Sequence, residues 1–327
     1  MIAQAFRTLV ALAVVGLGAC AQSAPGHAPT GLILEKTIPL KGVAGRIDHL
    51  AIDPHRHRVF VAELGAGAVE AIDLTRGVSL GRISGLKQPQ GVAYLPRGDE
   101  IAVACGGDGT VRFYRAADLA PTGMVVVGGD ADNLHIDGAE RLVAGYGDGA
   151  LAMIDPAARK RVAGLALPAH PEGFQLDGQH VYVNVPDAGQ IVGGDLATGR
   201  ITTAWRAPYA WNFPMAFAPA SRTLAVVYRL PPRLRLLDVD SGAVTLDRST
   251  CGDADDVFFD RVRRRIYVIC GAGAVDVVDL GHLDRSARIR TRPGARTGLF
   301  IPQLDRLIVV ARAEGNAAAL LIYRPTP

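Results

Sequence analysis

The chain is poor in several residue patterns that mark large protein classes. It has four cysteines and no Cys-x-x-Cys pair. Its eight histidines are too dispersed for a copper or haem site. The formal net charge is +3 over 327 residues, which leaves no strong electrostatic pull toward nucleic acid or a membrane surface. Its leading apolar run, Thr8 to Ala19, is too short to span a bilayer comfortably. Few stretches run ten residues without Gly, Pro or a β-branched residue, so long helices have little support. What is present fits many short strands joined by turns: Gly 38, Pro 20, 49% hydrophobic and 20% charged residues. Length alone would suggest about two domains.

The N-terminus reads as a targeting segment. Arg7 supplies positive charge before the apolar run, which ends in Leu17-Gly18-Ala19-Cys20. That ending resembles the bacterial lipobox, in which the Cys is lipidated and becomes the mature N-terminus. The expected organisation is a lipoprotein signal peptide at 1–19, a flexible tether at 20–30 and one domain at 31–327. The expected location is the periplasm, with Cys20 anchored in a membrane, the outer one favoured. An ordinary secretory signal cut near Ala19 or Ala21 is the alternative, and it also exports the protein.

One acidic phrase occurs twice: GDADNLHID at 129–137 and GDADDVFFD at 252–260. It belongs to a longer period. The first apolar residues after each cluster are Leu50, Val92, Leu134, Phe174, Met215, Val257 and Leu299, spaced by 42, 42, 40, 41, 42 and 42 residues. Within each unit, short apolar or alternating runs are separated by Gly/Asp/Pro turns, the hairpin pattern. Four strands in roughly 40 residues mark a β-propeller blade. The expected fold is all-β: a seven-bladed β-propeller of four-stranded antiparallel blades. The last unit lacks a fourth strand. Leu32 to Leu40, which precedes the first full unit, is expected to supply it against Ala319 to Tyr323. That N-terminal strand closes the ring and hides the sheet edges. A monomer is expected.

VYVNVPDAGQIVGGDLATG (181–199) resembles the YVTN-type repeat, in which a Tyr-Val strand leads to an Asp-x-x-Thr/Ser-Gly turn. AIDLTRG, LLDVDSG and MIDPAAR carry the same third-strand ending. With RIDHLAID, KQPQGV, DADN, HPEGFQL, NFPMAF, DADDVFFD and GARTGLF in that order, the chain is similar to exported YncE-like propellers from about Leu32 to Tyr323. The resemblance implies the propeller fold and no shared chemistry. The Gly-His…Trp-Asp pairing of WD-type blades is absent, and Trp205 and Trp211 lie in adjacent parts of one unit.

In a propeller, the first strand of each blade lines a central channel. The loop leading into that strand therefore lies at one mouth. The mouth candidates are Arg46, Asp48, His49, Gln90, Asp132, Asn133, Glu172, Asn212, Asp255, Asp256 and Arg296. The two acidic copies lie three blades apart, almost across the mouth. Carboxylates and amides there suit a divalent cation such as Ca²⁺, with His49, Asn133 and Asp256 as tentative ligands. Crowded carboxylates also raise one another's pKa. Equally, Gly-Asp turns recur because Asp bonds nearby amides, and Arg46 and Arg296 would neutralise the acids.

Three functions remain open. The first is a binding module for an unknown small molecule or envelope protein. The second is a metal-dependent hydrolase similar to seven-bladed lactonases, using Asp48, His49, Asn133, Glu172 and Asp256. The third is an interaction scaffold.

Other motifs reduce to structure. Ser79 in GVSLG falls in an outer strand rather than at the strand-to-helix elbow a hydrolase needs. The Gly-rich turns CGGDGT and YGDGA precede no helix to receive a phosphate. Asp130-x-Asp132 is followed by Leu134 where a calcium loop requires oxygen. Cys251 and Cys270 could bridge in an oxidising compartment, with Cys105 left as a buried thiol. The basic turns PHRHR (54–58) and DRVRRR (260–265) fall on the face opposite the mouth. YAWNF (209–213) puts three aromatics in one mouth loop, either to cap the channel or to pack between blades.

Overall fold

The computed structural model describes residues 31–313 and 317–327. The expected signal segment, Cys20 and the tether lie outside the described residues. The described residues form seven four-stranded antiparallel sheets in a ring. Blade one runs Leu50–Asp53, Arg58–Glu63, Ala68–Asp73 and Val78–Ser84, from the channel outward. The first strands of blades two to seven are Pro89–Leu95, Leu134–Ile136, Phe174–Asp177, Ala210–Ala218, Ala254–Asp260 and Thr297–Ile301. Blades two, five, six and seven thus begin their first strands inside the stretches read as mouth loops.

The ring closes as expected. Leu32–Pro39 pairs antiparallel with Ala319–Pro325, from Leu32 opposite Pro325 to Pro39 opposite Ala319. One blade therefore holds both ends of the domain, and closure leaves the sheet without a free first edge.

Turn chemistry explains why the blades repeat. Asp73 Oδ1 accepts the Arg76 amide at 2.8 Å, and Gly77 takes a left-handed φ of +70°. Asp195 with Thr198, and Asp238 with Ser241, repeat the bond before Gly199 and Gly242. A side-chain oxygen thus satisfies the turn's amides where no strand partner exists. Blade three departs from the pattern. Arg159 stands in the glycine place with φ +52°, and its guanidinium lies 4.1 Å from the Phe113 ring centre and 2.5 Å from Glu100.

The interior is divided rather than single. Seven apolar clusters lie among the described residues, one between each neighbouring pair of blades. Tyr228, Tyr267, Phe60, Phe113 and Phe174 are the largest fully buried side chains in them. Face-to-face packing of twisted sheets uses the apolar sides of strands two and three, so the burial fixes each blade against the next. Cys251 and Cys270 form a disulfide with Cα atoms 5.8 Å apart, inside the usual range for such a bridge. Cys105 is a buried free thiol.

Candidate functional site

The first strands converge on a cavity of about 680 Å³ that extends from the mouth down the channel. Backbone crowding limits which residues just before the aligned apolar positions can carry a side chain into it. The residue just before each aligned apolar position is His49, Gly91, Asn133, Gly173, Pro214, Asp256 or Gly298. A Cβ on Gly91 would lie 2.2 Å from the Asp132 carbonyl oxygen, and one on Gly173 would lie 2.5 Å from that of Phe213. Adjacent blades press together at those points, so only glycine fits. His49, Asn133 and Asp256 occupy the equivalent places with room for a side chain.

Eight of the eleven candidates line this one cavity: Arg46, Asp48, His49, Asp132, Asn133, Glu172, Asp255 and Asp256. They come from blades one, three, four and six and the loops before them. Three candidates, Gln90, Asn212 and Arg296, do not line it. Gln90 turns toward blade three, donating to Asp130 at 3.3 Å and to the Ala131 carbonyl at 3.5 Å. Asn212 is fully buried and donates to Asn184 Oδ1 and the Gln190 carbonyl, both at 3.0 Å. Asn184 in turn donates to the Phe213 carbonyl at 3.0 Å, so the two amides lace blade four to blade five. Arg296 pairs with Asp255 at 2.9 Å and Asp253 at 3.3 Å, lacing blade six to the start of blade seven. In each case a buried backbone or carboxylate group between blades needs a partner, and the side chain satisfies it.

The cavity mouth is electrically divided. Asp48, 1% exposed, pairs with Arg46 at 2.9 Å and has His49 Nε2 at 3.8 Å. Asp255 is held by both Arg229 and Arg296. Asp256 Oδ2 accepts the Gly298 amide at 2.7 Å. These acids are engaged. Among the described residues, the side chains of Asp132, Asn133 and Glu172 have no hydrogen-bond or ion-pair partner. Blades three and four therefore present free oxygens to the cavity.

Protonation follows from that crowding. Burial alone lowers the His49 pKa, but Asp48, Asp256, Asp132 and Asp255 outweigh it and bring it to about 9. His49 is an imidazolium at neutral pH. Burial raises Asp132, reinforced by Asp48 and offset in part by His49 and His170, to about 6. Burial raises Glu172, with Asp132 and Asp255 adding, to about 8. Burial also raises Asp256, against the pull of His49, to about 7. The cavity thus holds carboxyls that exchange protons near neutrality.

Below the polar mouth the wall turns apolar, with Leu50, Val92, Phe174, Met215 and Leu299 facing the channel. His135 and Gln175 are polar wall residues outside the expected mouth candidates. Both directly follow an aligned apolar residue, a register position that the blade period would have exposed. His135 meets the Phe174 ring edge-on at 4.7 Å, and burial holds its pKa down to about 4. Gln175 donates to the Met215 carbonyl at 3.1 Å.

The YAWNF aromatics separate. Phe213 lines the cavity with the Arg229 guanidinium 4.1 Å from its ring centre. Tyr209 packs edge-on to Tyr228 at 5.3 Å. Trp211 is 52% exposed.

Among the described residues, no group of three or more His, Cys, Asp or Glu side chains is placed to hold an ion.

Fold and site together define a seven-bladed β-propeller with a polar mouth on an apolar channel. No family model and no curated protein matches the chain. Solved structures do. A chain of Kuenenia stuttgartiensis hydrazine synthase aligns with a TM-score of 0.72 at 15% identity, over 86% of this chain and 98% of its own. A chain of a mitotic checkpoint complex aligns with a TM-score of 0.76 at 13% identity, over 97% of this chain and 99% of its own. At such identities the likeness is one of fold.

Proposed function

We propose that the protein is an exported binding protein of the YVTN-repeat, YncE-like kind, lipid-anchored through Cys20, whose channel mouth takes a small ligand with a cationic or hydrogen-bond-donating head and an apolar body. One observation carries this reading: Asp132, Asn133 and Glu172 face a 680 Å³ cavity with free oxygens while the neighbouring acids are already paired. A cavity of that size, mostly apolar with a few convergent polar groups, is the usual form of a small-molecule site. The apolar wall below the mouth takes the body of the ligand, and the free oxygens orient its head.

A thermal-shift screen of primary amines, polyols and carboxylates is the test, since a ligand that binds the folded state raises the midpoint. Amines or polyols with an apolar tail are expected to raise it, and Asp132→Asn and Glu172→Gln are expected to abolish the rise. Each variant should also be more stable than the parent without ligand at pH 8, by about 1–3 kcal/mol, because a carboxylate that resists ionisation is removed. Variants that are less stable, with no amine or polyol shift in the parent, end the reading. Mass spectrometry of Cys20 from membrane fractions tests the anchor separately; an unmodified Cys20 on wholly soluble protein refutes it.

A further inference from the structure

The turn DRVRRR, on the face opposite the mouth, carries four arginines with two different fates. Arg263 is fully used: it pairs with Asp260 at 3.0 Å and Asp305 at 2.6 Å, and donates to the Thr326 carbonyl at 3.0 Å. Arg265 donates to the carbonyls of Thr326 at 2.6 Å and Pro327 at 2.8 Å. The side chains of Arg261 and Arg264 have no hydrogen-bond or ion-pair partner among the described residues. Both line a second cavity of about 510 Å³, set between blades five and six on that face.

The rest of that cleft is apolar or already satisfied. Leu236, Leu246, Phe259, Leu280 and Leu283 supply its walls. The hydroxyls of Ser221, Thr223 and Thr245 donate to the backbone carbonyls of Ala218, Ser221 and Leu236. Its one acid, Asp260, is 1% exposed and neutralised by Arg263, with Tyr267 donating to the same oxygen at 2.7 Å. Among the described residues lining the cleft, the uncommitted charges are therefore two guanidinium groups beside an apolar pocket.

We propose that this cleft binds a small anionic amphiphile, a single acyl chain between blades five and six with its carboxylate or phosphate held by Arg261 and Arg264. The charge is complementary, the planar guanidinium matches a carboxylate or phosphate oxygen pair, and the volume lies in the range of small-molecule sites. The site is separate from the mouth. Arg261 also borders the lower end of the channel, whereas Arg264 lines the cleft alone. Val262, 88% exposed between Arg261 and Arg263, makes a bilayer surface the rival occupant.

Isothermal titration with monomeric decanoate tests the proposal. Saturable one-to-one binding is expected, with decyltrimethylammonium about tenfold weaker or absent and acetate not binding. Arg264→Gln and Arg261→Gln should each weaken decanoate about three- to tenfold, as for partly exposed charge-assisted bonds. Arg264→Gln should leave the mouth response to amines intact. Ala220→Trp, at an exposed turn of blade five bordering the cleft, should weaken decanoate by narrowing the pocket. Equal binding of decyltrimethylammonium, unchanged affinity in both arginine variants, or no effect of Ala220→Trp would overturn it. So would binding to phosphatidylglycerol vesicles with none to decanoate.

Discussion

Replacing His49 with Gln removes an imidazolium that four carboxylates hold in the mouth beside Arg46, and the structure fixes how the loss must depend on pH. The side chain is 24% exposed, so solvent screens it only partly. Its pKa moves from 6.5 in the unfolded chain to about 9 in the fold. The folded state therefore binds the His49 proton more tightly; while the surrounding carboxylates stay ionised, the stability this contributes is present below 6.5 and lost as pH rises through 9. Linkage gives about 2.5 kcal/mol at pH 7 and only a few tenths by pH 9.5.

Acidification should narrow the difference again. Asp132 and Asp256, with pKa values of about 6 and 7, become neutral and release their hold on the imidazolium. Urea denaturation of parent and His49→Gln at pH 5, 7 and 9.5 should show a deficit greatest near neutrality. A deficit that is the same at all three would mean that His49 acts by packing, and the electrostatic reading of the mouth would fall.

Further consequences follow from other parts of the ring. In the parent, Asp132, Asp256 and Glu172 have folded pKa values above their unfolded ones, so stability should decline from about pH 5 to pH 8, as monitored by thermal midpoint. Cation binding at the mouth should release protons at pH 7, seen by calorimetry in buffers of different ionisation heat; zero release argues against Glu172 as a contact. Removing the disulfide as Cys251→Ser with Cys270→Ser, which opens a separation of 19 residues, should cost about 3 kcal/mol; a reductant-insensitive parent would contradict this. Asn212→Ala should destabilise by about 2 kcal/mol without changing any ligand response, because it orphans Asn184 and the Gln190 carbonyl. Deleting residues 31–40 should expose the edge of Ala319–Pro325 and cause aggregation; an equally stable monomer would refute ring closure as the source of stability.

The sequence by itself determined the architecture. A period near 42, a turn grammar of Asp and Gly, and one strand too few at the C-terminal end fixed seven blades and their closure, because strand alternation and turn chemistry act between residues close in the chain. It also brought the mouth candidates to the right end of the ring. Tertiary structure alone decided which of them face the cavity. Gln90, Asn212 and Arg296 look identical in type to Asn133 or Arg46, yet neighbouring blades present them with buried carbonyls and carboxylates that must be paired. The same contact made glycine obligatory at 91 and 173 and left Asp132, Asn133 and Glu172 uncommitted. Whether a polar side chain is a ligand or a brace depends on what the adjacent blade sets against it, and that partner lies some forty residues away along the chain.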